Sequence, residues 1–182
     1  FAKADVFING IGISVKSERG AAPSLINHTT RDKILRVMKS INAPMLPLDQ
    51  IVDKYWNLRL NGIIGEDTKN TDSNSPFGDI ESCFPVLKPL LNYFAFDGTG
   101  SRDSSEPAEY ILSIQSPNDT QTWTYYSKED FIDTIWSKLV FSLRSKSTPQ
   151  ELDDDNEMHQ LMLPWIKKVE GKLKGALSVR IG

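Results

Sequence analysis

The chain has 182 residues, a formal net charge of −3 and a hydrophobic content of 39%. This size suffices for one domain with a buried core, and the longest apolar runs are far shorter than the ~20 residues that a membrane helix requires. Because Cys83 is the only cysteine, an internal disulfide and a cysteine-based zinc cluster are excluded. We therefore expect a cytoplasmic protein with no membrane partner.

Basic residues are concentrated in the first third of the chain. Residues 1–65 hold nine Lys and Arg against five Asp and Glu, whereas residues 66–130 hold four against twelve. Binding to a polyanion depends more on the field near one patch than on net charge, so this distribution permits DNA binding. A random fluctuation in composition is the alternative explanation.

Residues 5–16 predict a β-hairpin, because Asn9-Gly10 between apolar runs is typical of a two-residue turn. In the register that this turn sets, Asp5 lies opposite Ser14 and one diagonal step from Lys16. These three side chains share one face of the hairpin. The other face is predicted to be buried and carries Val6, Ile8, Ile11, Ile13 and Val15.

A carboxylate beside a lysine is an arrangement suited to phosphodiester cleavage, which needs a metal-binding acid and a charge-neutralising cation. Asp5 supplies the acid and Lys16 the cation, while Ser14 stands where a second acid is expected. Glu18 is one substitute for it. A carboxylate from an upstream segment is another, since the chain starts at Phe1 and is interpreted as lacking its N-terminal portion. The alternative is an ordinary exposed pair, worth under about 1 kcal/mol.

The next periodic segment predicts a helix with its first turn near Asp32 and its N-cap at Thr29 or Thr30. Backbone N–H groups at a helix N-terminus favour phosphate, so the polar residues there are candidates for DNA contacts. His28 is additionally able to titrate near neutral pH. The candidate DNA-binding residues are Asn27, His28, Thr30, Arg31, Lys33 and Arg36.

The rest of the chain predicts a single domain of mixed α and β structure. Two long polar loops, near 66–82 and 97–107, are expected to be mobile and are candidates for contact with DNA. Further helices are predicted over 47–60, 86–94, 127–138 and 161–168. Strands are predicted over 109–114, 122–126, 139–143 and 173–181.

Two segments resemble the PD-(D/E)xK core of type II restriction endonucleases. These are Asp5 followed by Ile13-Ser14-Val15-Lys16-Ser17, with serine at the second acidic position, and the loop ending in Pro23-Ser24-Leu25-Ile26-Asn27. The closing run 176–181 is similar to a terminal strand common in that family. The resemblance covers about forty residues at the start of the chain and the last few.

The resemblance implies a restriction-endonuclease-like mixed sheet flanked by helices, Mg2+ as cofactor and a homodimer that cuts both strands of DNA. It assigns catalysis to Asp5, Ser14 and Lys16, and metal binding to Asp5 with Glu18. The expected activity is sequence-specific hydrolysis of double-stranded DNA. Two alternatives are a non-catalytic DNA-binding or effector module that has lost an acid, and an interaction domain without a nucleic-acid role.

Overall fold

Two four-stranded sheets and five α-helices are found in the computed structural model, which describes residues 1–19 and 23–182. The strands are Val6–Ile8 (β1), Ile11–Ser17 (β2), Ser24–Thr30 (β3), Thr68–Lys69 (β4), Tyr110–Ile114 (β5), Trp123–Ser127 (β6), Leu139–Arg144 (β7), Lys167–Val169 (β8), Lys172–Lys174 (β9) and Ala176–Ile181 (β10). The helices are Arg31–Ser40 (α1), Leu46–Leu60 (α2), Phe84–Asn92 (α3), Phe131–Ile135 (α4) and Glu157–Met162 (α5). The predicted mixed α and β class is confirmed.

The first sheet has the strand order β1-β2-β5-β6 and is mixed, because β2 and β5 run parallel while both outer pairs are antiparallel. The second sheet has the order β3-β10-β7-β4 and is entirely antiparallel. Strands β8 and β9 form a separate hairpin. The segment that connects β2 to β3 therefore passes from one sheet to the other and includes residues 20–22, which lie outside the described part.

One apolar cluster joins the second sheet to α1, α2, α3 and α4 and extends to Ile111 of the first sheet. Phe77 stacks on Phe141 of β7 with ring centroids 4.5 Å apart, and Trp56 of α2 donates a hydrogen bond of 2.8 Å from its indole to the Trp165 carbonyl. The predicted loop 66–82 is thus anchored to the core through Phe77. Its predicted mobility stays a prediction.

The predicted hairpin register is confirmed. Ile8 pairs with Ile11 and Val6 with Ile13, and the turn residue Asn9 has a φ of 50° beside Gly10 at 78°. The prediction of which face is buried is confirmed for Ile13, which is 6% exposed, but is wrong for β1, because both of its faces are exposed and Phe7 is 51% exposed. Ser14 is only 3% exposed, whereas Val6 is 44% exposed, and two more residues of the predicted buried face, Ile8 and Ile11, are also exposed.

Ser14 is buried because a second layer of the structure covers its side of β2. The face of the first sheet that carries Ser14 also carries Ile111 and Tyr126, and Tyr126 packs on Phe131 of α4 at 5.7 Å between ring centroids. Small residues on β2 leave room for this packing. A Cβ atom on Gly12 would lie 2.6 Å from the Pro107 carbonyl oxygen.

Most predicted helices are confirmed, but the bounds predicted for the helix over 161–168 are wrong, because helical structure covers 157–165. α5 begins earlier, because the Asn156 side chain accepts hydrogen bonds from the amides of Met158 and His159, and it ends before Pro164. Residues 167–169 are a strand instead. The longest helix, α2, has 15 residues, and none of the helices in the described residues is long and apolar enough to cross a membrane.

Candidate functional site

Asp5 is fixed at the exposed end of the first hairpin. Its amide donates a hydrogen bond of 2.8 Å to the Ile13 carbonyl, and its carboxylate Oδ2 accepts one of 2.7 Å from the Val15 amide. The carboxylate thus continues the hydrogen bonding between β1 and β2 at a position just before β1 begins. This contact holds a negative charge at the edge of β2, beside Val15, which lies between Ser14 and Lys16 in the sequence.

The backbone of Val15 points toward the same edge. On the opposite side of β2, the Gly12 carbonyl accepts a hydrogen bond from the Glu109 amide, and the Glu18 amide, just after β2, donates one to the Ile114 carbonyl. The backbone N–H and C=O groups of the even-numbered residues are therefore directed at β5. Because peptide groups alternate along a strand, the Val15 carbonyl is directed away from β5 and toward Asp5. A carboxylate and a main-chain carbonyl oxygen are therefore available at one position.

Ser14 and Lys16 lie on the face of β2 that is turned toward the second sheet. Lys16 lines a cavity of about 320 Å³ between the sheets, together with Leu25 of β3 and Ile181 of β10. The polar residues of this cavity are Lys16, Glu18, Ser113 and Lys138. Asp5 is not among its lining residues, and its carboxylate contacts the backbone of β2 instead.

Glu18 lines the cavity but is already hydrogen-bonded. The Ser113 hydroxyl donates a bond of 2.6 Å to the Glu18 carboxylate. That bond, a second from Gln115 and the charge of Lys138 together lower the pKa of Glu18, against a small opposing effect of burial. The structure brings Glu18 close to Lys16 through Ser113, which is the cross-strand partner of Lys16.

Mg2+ fits this donor set only with a small number of protein ligands. Within residues 1–19 and 23–182, no three His, Cys, Asp or Glu side chains are grouped so that they could hold a metal ion. Mg2+ commonly keeps several waters and takes one or two carboxylates plus substrate phosphate oxygens. The Asp5 carboxylate would be one such ligand, with the Val15 carbonyl at the same edge, and Glu18 is the carboxylate that lines the cavity of Lys16.

Lys3 belongs to the same region, although the sequence analysis did not select it. Its ammonium group donates a hydrogen bond of 2.7 Å to the Phe94 carbonyl. Burial and the positive charge of Lys16 lower the pKa of Lys3, while the nearby Asp97 opposes them. The two ammonium groups therefore influence each other electrostatically. No strand pattern marks Lys3 in the sequence, because β1 begins only at Val6.

The candidate DNA-binding residues fall into two groups. Asn27 is exposed and His28 partly exposed on β3, and Lys33 is exposed on α1. All three line one cavity of about 360 Å³ that also contains Lys3. These residues are available for a ligand.

The other three candidates have their polar groups bound within the protein. Thr30 is 3% exposed and donates a hydrogen bond of 2.6 Å to Asp32. Arg31 forms two hydrogen bonds, of 2.9 and 2.8 Å, with the Asp49 carboxylate. Arg36 donates to the carbonyls of residues 99 and 100, at 2.7 and 2.9 Å, and thereby fixes the loop 97–107. Their predicted contacts with DNA stay predictions.

A charged network joins the loop after α2 to β7, β9 and β10. Glu66 contacts Arg59 at 3.3 Å, Arg144 at 3.2 Å and also Lys174. Asp67 contacts Arg144 at 2.6 Å and Arg180 at 3.0 Å. Four basic side chains thus share two carboxylates, and the network is left with an excess of positive charge.

Acid is expected to destabilise the fold through this network. Burial alone would raise the pKa of Glu66, but the hydrogen bond from Lys174 and the charges of Lys174, Arg144 and Arg59 outweigh it and lower the pKa. A carboxylate whose pKa is lowered on folding stabilises the protein above its unfolded pKa, and this contribution is lost as the pH falls below about 4.5. The measurement is the urea midpoint between neutral pH and pH of about 3.

Glu66→Gln should lower the midpoint at neutral pH and make its decline in acid shallower. Glu151 is exposed and has no ion pair among the described residues, so Glu151→Gln is the matched control. An acid profile for Glu66→Gln that is as steep as that of the wild type would contradict the assignment.

The chain was compared with protein-family models, with curated proteins and with solved structures, and none of these comparisons found a match. No detected relative therefore assigns a role to any of its residues. Functional inference starts from the chemistry at Asp5, Val15 and Lys16.

Proposed function

We propose that the protein is a Mg2+-dependent endonuclease that cuts double-stranded DNA, built as a variant of the PD-(D/E)xK core in which Ser14 replaces the second acid. The observation that supports this most strongly is the contact of the Asp5 carboxylate with the Val15 amide. It fixes an acid at the edge of the strand that carries Lys16.

Each residue then has a distinct chemical task. Asp5 and the Val15 carbonyl would hold the metal ion, and the buried Ser14 hydroxyl lies beside them on β2. When bound, Mg2+ polarises the phosphate and favours formation of hydroxide from water. The Lys16 ammonium offsets negative charge that develops on the phosphate oxygens, in a partly enclosed cavity where such a charge is weakly screened.

The fold supports the same proposal. A mixed sheet with a parallel central pair, β2 and β5, carries the acid and the lysine on its first hairpin, and helices flank the sheets. We propose a restriction-endonuclease-like fold acting in the cytoplasm. Cutting both strands of a palindromic site favours two copies related by a twofold axis, so a homodimer is part of the proposal.

A non-catalytic DNA-binding module is the second candidate. Ser14 supplies no carboxylate, and Glu18 is held by Ser113 at 2.6 Å, which leaves Asp5 as the one acid at the edge of β2 next to Lys16. Such a protein would retain affinity for DNA through its basic first third while being unable to bind the metal ion. The two candidates differ in one observable, which is cleavage.

The decisive test is incubation of the purified protein with plasmid DNA in the presence of Mg2+. Cleavage to discrete bands is expected, and excess EDTA is expected to abolish it, because no protein side chain replaces the metal as a source of activated water. Calcium in place of magnesium should support binding with much slower cleavage. Plasmid that stays intact with Mg2+ and with Mn2+, together with retention on DNA, would favour the non-catalytic module.

A further inference from the structure

The strand after the first hairpin contains a β-bulge at His28. On β3, two residues, Asn27 and His28, lie between consecutive paired positions, whereas on β10 a single residue, Ser178, lies between the same pairs. His28 has a φ of 45°, in the left-handed region that non-glycine residues seldom adopt. Bulges of this kind redirect a side chain and are frequent beside active sites.

The imidazole of His28 has no hydrogen-bond partner among the described residues. Its Nδ1 atom is buried and unpaired, and its amide donates a hydrogen bond to the Ser178 hydroxyl at 3.3 Å. An unpaired buried polar atom costs about 1–3 kcal/mol. A half-turn of the ring exchanges Nδ1 with Cδ2, so either ring nitrogen can be presented to a ligand.

His28 stands between two basic cavities. One, of about 330 Å³, is lined by Arg144 and Arg180, and the other, of about 360 Å³, is lined by Lys3 and Lys33. Ser24, Asn27 and His28 line both cavities, and the described residues contribute no acidic side chain to either lining. The surface on both sides of the bulge is therefore suited to an anion.

The cavity of Lys3 also adjoins the proposed catalytic centre. Leu25 of β3 lines it and also lines the cavity of Lys16. The cavities of Lys16 and Lys3 thus share Leu25, and the cavities of Lys3 and Arg144 share His28. Basic groups in neighbouring cavities are suited to the regularly spaced phosphates of one DNA strand.

We propose that the His28 bulge is a phosphate-binding site that holds one phosphodiester group of the DNA backbone, separate from the bond that is cut. The site extends the proposed function and depends on it for the identity of the ligand as DNA. Asn27 and the imidazole of His28 donate hydrogen bonds to the phosphate oxygens, whereas the Ser24 hydroxyl donates to the Ile26 carbonyl at 3.2 Å. The surrounding cations supply the attraction.

Binding of a phosphate at this site is linked to the protonation of His28. In the free protein, burial and the charges of Lys146 and Arg144 lower the pKa of His28. The basic groups around the bulge are Arg144 at the end of β7, Lys146 after it, Arg180 on β10, Lys33 on α1 and Lys3 before β1. Asp67 pairs with both arginines, and Glu66 also pairs with Arg144. A phosphate anion opposes the effect of the basic groups and raises the pKa, so that DNA binding takes up a proton and strengthens as the pH falls.

Nuclear magnetic resonance tests this linkage directly. The chain has two histidines, so His159→Asn leaves His28 as the only imidazole. In EDTA, addition of a short DNA duplex is expected to raise the pKa of His28 by about one unit, which corresponds to about tenfold tighter binding to the protonated form. An unchanged His28 titration with duplex bound would overturn the proposal.

Fluorescence anisotropy with the same duplex in EDTA tests the binding role. His28→Asn keeps a residue that tolerates positive φ, and it should weaken binding about tenfold near pH 6 and abolish the difference in affinity between about pH 6 and pH 8. His159→Asn should match the wild type. Equal affinities for His28→Asn and the wild type would overturn the phosphate site, even if the wild type cleaves DNA. Binding that depends on His28 but is not followed by cleavage would support the phosphate site and reject the nuclease. Failure of the wild type to bind duplex at all would overturn the site.

Discussion

Replacing Asp49 with alanine is expected to lower the free energy of unfolding by about 3 kcal/mol. Asp49 accepts two hydrogen bonds from Arg31, and a third, of 2.7 Å, from the Trp165 indole. The Arg31 side chain is 14% exposed and that of Asp49 21%. Removal of the carboxylate leaves a largely buried guanidinium without its counter-ion and a buried indole N–H without an acceptor, and both losses destabilise the folded state.

Urea unfolding measures this loss, and the same helix provides the control. Asp53 lies one turn after Asp49 on α2, is exposed and has no ion pair among the described residues, so Asp53→Ala should change stability by less than about 0.5 kcal/mol. Arg31→Leu combined with Asp49→Leu should cost less than the sum of the single changes, because the double variant buries no unpaired charge. Equal midpoints for Asp49→Ala and Asp53→Ala would show that the ion pair contributes little.

This ion pair also shows what a helix pattern leaves undetermined. The sequence placed Arg31 in the first turn of α1, where an arginine is equally suited to a phosphate or to a carboxylate of the same protein. The choice depends on α2, whose Asp49 lies 18 residues away along the chain. Periodicity located both helices correctly but carries no information on which of their polar side chains meet.

The first hairpin shows the same division between local and long-range information. Its register was predictable because Asn9 and Gly10 both accept positive φ, and nothing outside the segment is needed to set the pairing. Which residues of the hairpin are buried depends on β5 and β6, which lie about a hundred residues later. Ser14 and Ile13 of β2 are both buried, whereas β1 at the edge of the sheet is exposed, and this difference became visible only with the fold.

Two features of the candidate site were beyond prediction for the same reason. The bulge at His28 arises because β3 has one more residue than β10 between the same two paired positions. The two strands are about 150 residues apart in sequence, as the contact between His28 and Ser178 shows. The hydrogen bond between Glu18 and Ser113 likewise joins two strands that are distant in sequence. The residue types of a site are therefore readable from the sequence, whereas their partners are not.

Replacing Lys16 with methionine is expected to reduce the rate of Mg2+-dependent DNA cleavage about a thousandfold. Methionine preserves most of the volume of the lysine stem, so the packing at the wall of the cavity between the sheets is kept and the variant should fold. What is lost is the positive charge beside the phosphate. Binding of a DNA duplex in EDTA should weaken only slightly, because one of several basic groups in the groove is removed.

Asp5→Asn should reduce cleavage to a similar extent for a different reason. The amide oxygen can still accept the hydrogen bond from Val15, so the hairpin keeps its geometry, but the carboxylate that would hold the metal ion is gone. Duplex binding in EDTA should be unchanged or tighter, since a negative charge is removed near the DNA. Higher Mg2+ concentrations should restore part of the activity of Asp5→Asn and none of that of Lys16→Met.

The matched controls are Lys168→Met on β8 and Asp155→Asn in the acidic loop, both at exposed positions away from the hairpin. Each should cleave plasmid at the wild-type rate. If Lys16→Met and Asp5→Asn also cleave at that rate, the activity belongs to a contaminating nuclease or to another site. If both bind duplex normally and cleave at the reduced rate, the residues act in the chemical step, because binding and chemistry are then separated within one protein.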